Sequence, residues 1–363
     1  MSKIHVIIPV YNAKKFLREA VDSVLNQPYK GIDIVLVNDG STDGSAELCD
    51  EIAANEERVS VIHQENGGVS RARNAGIAYA IQMGAKEDYI GFLDADDMWI
   101  PNAITPEWAK KMLQYANTEM YLFCSTFCNE NVTRFTSTTM HKEAVCDGGN
   151  ANIWNLPFHF CANLYSAELL NKWNIRFVDG LKYAEDKMFV TQCVFMSTKI
   201  HYISKMLHIH RANENSAMSR VSSIEPIKYY LPIINGWIQS DDFLNSYESI
   251  SGKHICAGYV LAGIYFMDMA ADHYKRWGKR SKIEKVFCEH PYYHLFEQMR
   301  PQDVSAQQYK NHNLLLEHPL LFKWKYNLIG VLEYILRSIL RLPPLQKWWM
   351  KRKCPMTQMP TND

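Results

Sequence analysis

Residues 89–97, YIGFLDADD, set three aspartates directly behind a short apolar run. The run has the length and composition of a buried strand, and the acids close it. The same design recurs upstream. IHVIIPV at 4–10 is a β-branched run ended by turn signals at Asn12 and Ala13. IDIVLV at 32–37 runs into Asn38 and Asp39, and VSVIHQENGG at 59–68 ends on Asn66-Gly67-Gly68. Helical segments separate these runs. Residues 14–27 carry Phe16, Leu17, Ala20, Val21, Val24 and Leu25 on one face, and further helices are expected over 45–55 and 70–83. Strand and helix therefore alternate through the first 100 residues. That pattern predicts an α/β fold, a Rossmann-like, mostly parallel sheet flanked by helices. In such sheets ligands sit beyond the carboxyl ends of the strands, where the polar residues just named collect.

Downstream the pattern is mixed, with a helix expected over 107–116, a strand over 120–127 and a strand-like HYISKMLHIHR ending at Arg211. Beyond about residue 222 the chain turns helical and aromatic-rich. The expected division is an α/β domain over 1–220, a helical region over 221–320 and a basic amphipathic segment over 321–363.

Composition sets limits on function. The 363 residues contain 39 Lys+Arg, 39 Asp+Glu and 47% apolar residues, which excludes a disordered or collagen-like chain. Nine cysteines without a CxxC pair suggest neither a disulfide scaffold nor a zinc ribbon. The N-terminus lacks a secretory h-region, and the longest uncharged apolar run, 255–267, is shorter than the roughly 20 residues that span a bilayer. A cytoplasmic protein without a transmembrane helix is expected. Zero net charge hides an uneven distribution, because residues 321–353 hold eight basic side chains and one acid, Glu333. Leu328, Val331, Leu332, Ile335, Leu336, Ile339 and Leu342 form a helical stripe there, followed by Trp348, Trp349 and Lys351-Arg352-Lys353. An in-plane helix on an anionic membrane surface fits both stripe and charge. The competing reading packs the stripe on the catalytic body or on a second copy of the chain, as a homo-oligomer.

Four motifs, IIPVYNA at 7–13, VNDGSTDGS at 37–45, NGGVSRARNAG at 66–76 and FLDADD at 92–97, resemble family-2 glycosyltransferases of the GT-A fold, of the bacterial cell-surface polysaccharide type. The resemblance implies a metal-dependent, inverting transfer of a sugar from a nucleoside diphosphate, by family habit UDP, to a glycan or lipid-linked acceptor. A diphosphate leaving group calls for a hard divalent cation held by carboxylates, Mn²⁺ or Mg²⁺. By resemblance Asp96 ligates the metal, while Asp94, with Ala95, lies nearer the ribose. Asp97 is left as a residue behind the metal ligand or on the acceptor side. Asp39 is expected to accept from the base, Pro9 and Tyr11 to line its pocket, and Arg73 with Asn74 to meet the donor. Asn38 departs from the aspartate many relatives carry. Gly67, Gly68 and Gly76 are read as backbone devices. Tyr183-Ala184-Glu185-Asp186 resembles an acidic pair opening a helix, with Asp186 as general base and Glu185 contacting the acceptor or bracing the loop. The alternative for these acids is a helix N-terminus stabilised by negative charge. His210 and Arg211 are expected to reach the metal or diphosphate, with 213–220 as a mobile lid. Two other classes compete. A scaffolding protein that kept the fold without turnover is disfavoured by the intact acids, and nucleic-acid binding by the acidic body.

Overall fold

The computed structural model describes residues 2–83, 87–115, 117–133, 135–139, 142–146, 160–180 and 185–212, with isolated positions between 310 and 325. Two compact units divide the chain, one of residues 1–180, 184–219 and 354–363 and the other of 181–183 and 220–353. The fold below is that of the first unit. The expected lid, the helical region 221–320 and the amphipathic stripe 328–342 lie outside the described residues, apart from those isolated positions.

The first 100 residues fold as their periodicity predicts. β1 (Ile4–Val10), β2 (Ile32–Asp39), β3 (Val59–Gln64) and β4 (Tyr89–Phe92) are joined through α1 (Lys14–Leu25), α2 (Ser45–Asn55) and α3 (Val69–Gln82). The strands pair in parallel in the order β3-β2-β1-β4, with Ile4 facing Ile32 on one side and Tyr89 on the other. β1 lies between β2 and β4 and is apolar but for His5, whose buried ring meets Asp88 (3.0 Å), because both its faces are covered. Val6, Ile8 and Val10 join a core cluster with Leu17, Val21 and Val24 of α1. Ile7 points the other way, toward α3, where a Cβ on Gly76 would lie 2.4 Å from its Cγ2. Each such aliphatic side chain contributes about 1.5–3 kcal/mol by leaving water.

The second half departs from the expected parallel sheet. β5 (Met98–Trp99), α4 (Pro106–Gln114), β6 (Met120–Cys128), β7 (Phe135–Thr139), β8 (Ala144–Cys146), β9 (Asn163–Ser166), α5 (Ala167–Lys172), α6 (Glu185–Met196) and β10 (Ile200–Arg211) complete the unit. β9 enters antiparallel between β4 and β6, and β10 then pairs with β6 in parallel. Two antiparallel steps restore the original direction. The carboxyl ends of β6 and β10 therefore lie on the same sheet edge as those of β1 to β4.

Two boundaries need correction. α1 stops at Leu25, before the expected Gln27, because the buried Gln27 side chain is used elsewhere: its Nε2 donates to the Ile100 carbonyl (2.9 Å) and its Oε1 accepts from the Ile104 N–H (2.9 Å). β4 stops at Phe92, before the acids. Asp94 to Asp97 form a turn closed by the Asp97 N–H on the Asp94 carbonyl (2.9 Å), so Asp94 and Asp96 are presented by a turn and not by an extended strand.

Candidate active site

β2 delivers Asp39 to the strand-end edge, and the loop behind β3 encloses it. Gln64 Nε2 (2.7 Å) and the Gly67 N–H (2.9 Å) donate to Oδ1, while the Gly68 N–H (2.8 Å) donates to Oδ2. Gly68 has φ +88°, a conformation that favours glycine, so this residue type lets the loop aim two successive N–H groups at one carboxylate. A carboxylate has about four acceptor positions, and three are taken. The fourth suits one N–H or O–H of a ligand. Asn38, beside it, donates from Nδ2 to His63 Nδ1 (3.0 Å) and accepts the Ser41 N–H (3.1 Å). The amide supplies a donor that an aspartate lacks, which accounts physically for asparagine here.

The β1 and β2 loops are tied together by Asn12, whose N–H donates to Ser41 Oγ (3.1 Å) and whose Oδ1 accepts the Thr42 N–H (2.8 Å). Tyr11 is thereby left 55% exposed at the edge and Pro9 half-buried behind it. An exposed ring on a fixed loop is available for stacking.

In the acid turn, Ala95 is buried, Asp94 and Asp96 are half-buried, and Asp97 points inward. Asp97 is 1% exposed and is the hub of β10: His208 Nε2–H (2.9 Å) and His210 Nδ1–H (3.1 Å) donate to its Oδ2, and the Arg211 N–H (2.9 Å) to its Oδ1. Burial alone would push the Asp97 carboxyl up, but His208 and His210 hold it well below the usual carboxylate range. Burial likewise opposes charge on His210, yet Asp97, with Asp94 and Asp96 beyond, lifts that imidazole to about 9. Asp97 thus stands behind the turn as a brace.

Arg211 is committed to protein acceptors. Its Nε donates to the Asp96 carbonyl (2.8 Å), its terminal nitrogens to the Glu130 carbonyl (2.7 Å) and the Glu19 carboxylate (2.6 Å), and its guanidinium lies 4.8 Å over the Phe16 ring. It clamps the acid turn from below.

Arg73, the fifth residue of α3, is buried. One terminal nitrogen donates to Asp94 Oδ1 (2.8 Å) and the other to Glu185 Oε1 (3.0 Å), at the start of α6. Asn74 faces another segment: it donates to the Phe177 carbonyl (2.8 Å) and accepts the Phe177 N–H (2.8 Å). α6 opens with Glu185 and Asp186 in its first turn. Burial, with Asp186 adjacent, pushes the Glu185 carboxyl up against the pull of Arg73.

The structure therefore gathers Asp39, Asp94, Asp96, His210 and Glu185-Asp186 at one sheet edge or on elements tied to it. Sequence reasoning missed the aromatic floor beneath them. Phe177 stacks on Phe189 of α6 (4.1 Å between centroids), and Phe92 meets both rings edge-on. Only spatial proximity unites these residues, and no local pattern signals it.

Among the described residues, no group of three or more His, Cys, Asp or Glu side chains is placed to hold a metal ion, and no helix is long and apolar enough to cross a membrane.

Comparison with known proteins agrees with this architecture. The family model described as glycosyl transferase family 2 matches residues 5–168. Glycosyltransferase GlyG of Streptococcus pneumoniae serotype 4 is 31% identical over 231 residues, covering 59% of this chain and 72% of its own. The uncharacterized glycosyltransferase EpsJ of Bacillus subtilis is 31% identical over 226 residues, covering 59% of this chain but only 62% of its own length. Among solved structures, S. aureus TarS residues 1–349, in complex with UDP-GlcNAc, superimposes with a TM-score of 0.59 at 18% identity, covering 92% of each chain. The sheet with its flanking helices, the four motifs set at its edge and these matches place the chain in glycosyl transferase family 2, on a GT-A fold.

Proposed function

We propose that the protein is a metal-dependent, inverting glycosyltransferase, of hexosyltransferase type. It moves a sugar from a nucleoside diphosphate donor, UDP, to a glycan or lipid-linked acceptor in polysaccharide synthesis. The observation that carries this reading is the convergence, at one strand-end edge, of a carboxylate with one acceptor position open, an acid turn and an acid-led helix. The UDP-GlcNAc in the TarS complex supports a uridine donor here.

Asp39 accepts from the base and Tyr11 stacks on it. The residues fit a divalent cation, Mn²⁺ or Mg²⁺. Asp96 offers a half-exposed carboxylate, and His210, whose Nδ1 is held by Asp97, has the carboxylate-backed arrangement usual for a metal-ligating imidazole. With so few protein ligands, a bound ion would need donor phosphate oxygens beside Asp96 and His210. When bound, the ion neutralises charge on the departing diphosphate. At neutral pH and without the ion, the His210 imidazolium supplies positive charge at the same place. Asp186 takes the proton of the acceptor hydroxyl. The hydroxyl oxygen then bonds to C1 of the sugar on the face opposite the diphosphate, whose C1–O bond breaks with the electron pair leaving on the diphosphate.

Calorimetric titration of UDP into the full chain, with and without Mn²⁺ and repeated on Asp96→Ala, tests the donor site. Metal-dependent binding that the variant loses is expected. Absence of UDP binding at every metal condition rejects a uridine donor, and absence of binding to other nucleotides as well favours a scaffold without turnover.

We also propose that residues 321–353, with eight basic side chains against one acid, hold the enzyme on an anionic membrane surface near its acceptor. The full chain is expected to sediment with phosphatidylglycerol vesicles and to be released when Lys347, Lys351, Arg352 and Lys353 are changed to glutamine, without affinity for duplex DNA. Equal sedimentation with neutral vesicles would remove the electrostatic basis of the proposal.

A further inference from the structure

Arg73 occupies an unusual position for a donor ligand. Its side chain is 4% exposed, and its two terminal nitrogens bind carboxylates on different elements, Asp94 of the acid turn (2.8 Å) and Glu185 of α6 (3.0 Å). The guanidinium lies 4.3 Å from the Phe160 ring centroid and 5.1 Å from that of Phe177. Its Nε is buried and has no hydrogen-bond partner among the described residues. An arginine kept only for stability is poorly explained by this setting, because an apolar side chain would fill an aromatic cage without leaving an N–H unsatisfied, and buried ion pairs add little net stability. A planar fork with two donor ends does something an apolar residue cannot. It fixes the separation and orientation of two carboxylates.

We propose that Arg73 is a positioning residue, which locks the donor-side acid turn to the first turn of α6 and so sets where Asp186 stands relative to the donor. The proposal rests on the reading of Asp186 as general base. Glu185 and Asp186 are neighbours in one helical turn, so holding the Glu185 carboxylate at Arg73 fixes the backbone that carries Asp186. The acid turn is held from two directions, by Arg73 on Asp94 and by Arg211 on the Asp96 carbonyl. α6 is held by the same guanidinium and by Phe189 stacked on Phe177. Arg73 thus bonds to both the acid turn and the base-bearing helix.

The test uses the full chain and the variant Arg73→Lys, which keeps the charge and one contact but cannot span both carboxylates. Two quantities are read: Kd for UDP with Mn²⁺, and kcat for release of nucleoside diphosphate from the sugar nucleotide hydrolysed fastest in a panel of uridine- and guanosine-linked sugars. The expected result is a Kd within about threefold of wild type and a kcat lower by about 10²-fold, the size of effect a misplacement near 1 Å produces. Adding Arg73→Lys to Asp186→Asn is expected to cause little further loss, since both act on one proton transfer. A rise in Kd that matches the fall in kcat makes Arg73 a donor ligand and overturns the proposal, as does a full multiplicative loss in the double variant. If wild type hydrolyses nothing in the panel, or Asp186→Asn turns over normally, the underlying reading fails and the proposal falls with it, an outcome recognisable without the Arg73 variant. Should Arg73→Lys not fold, Glu185→Gln, which weakens the same tie from the other end, must show the same kcat-selective loss.

Discussion

Asp97→Ala is expected to destabilise the catalytic unit by about 3–5 kcal/mol, the range for breaking a buried ion pair from one side. The carboxylate is 1% exposed and accepts from His208, His210 and the Arg211 backbone. Removing it leaves those donors facing one another in a desolvated site, and the charged His210 loses its counter-ion. Asp97→Asn keeps one acceptor oxygen and should fall between. Urea unfolding of the full chain reads the difference, and a loss below about 1 kcal/mol, the scale of an exposed pair, would show that Asp97 is not the hub. The pH dependence carries the same signature. Asp97 has a folded pKa below its ordinary 3.8, so its stabilisation is present above that value and fades as pH falls through the folded value. His210 is raised from 6.5 to about 9, so its contribution is complete below 6.5 and is lost as pH climbs through about 9. Wild type should therefore weaken between those two values, and Asp97→Ala should lack that decline.

That hub also shows where the sequence could and could not be read. β1 and β2 were legible because each is a β-branched run that is almost wholly buried, β3 and β4 because each is a short apolar-led run bounded by turn residues, and the motifs at their ends stand in sequence next to the strands that carry them. The helix face of α1 was legible for the same local reason. β9 was not. It is four residues long, NLYS, begins on a buried polar residue, Asn163, and owes its existence to β4 and β6 on either side. His208 and His210 share one face by the alternation of a strand, but their common partner Asp97 lies more than a hundred positions away. Arg73 and Arg211 illustrate the limit more sharply. Their residue type and location near the motifs were visible, while the carboxylates and carbonyls that occupy their N–H groups are set by tertiary contacts alone. Asp39 lies between these cases. Its place at a strand end was readable, and its enclosure by Gly67 and Gly68 gives those glycines the backbone role their residue type suggested.

Asp186→Asn is expected to lower kcat by about 10²–10⁴-fold, the contribution of a positioned general base. The substitution is nearly isosteric and leaves the side chain in the first turn of α6, so it removes the proton acceptor with little change of shape. UDP affinity in the presence of Mn²⁺ should be unchanged, because the base faces the acceptor. The competing explanation for an acidic pair here is complementarity to the helix dipole, and it makes a different prediction. On that reading Asp186→Asn costs about 0.3–1 kcal/mol of stability and nothing in turnover. Glu185→Gln separates the roles further. Its carboxyl is pushed up by burial and held by Arg73, and that tie makes it the anchor of the turn. The two variants should differ in how lost turnover depends on pH. With Asp186→Asn, the acidic limb of the kcat profile disappears together with the rate, since the group that must be deprotonated is gone. With Glu185→Gln, the limb remains and the rate drops across the profile, as expected when a base is displaced and still present. An intact acidic limb in Asp186→Asn, at whatever rate, would assign the proton transfer to another group and leave Asp186 as helix-terminal charge.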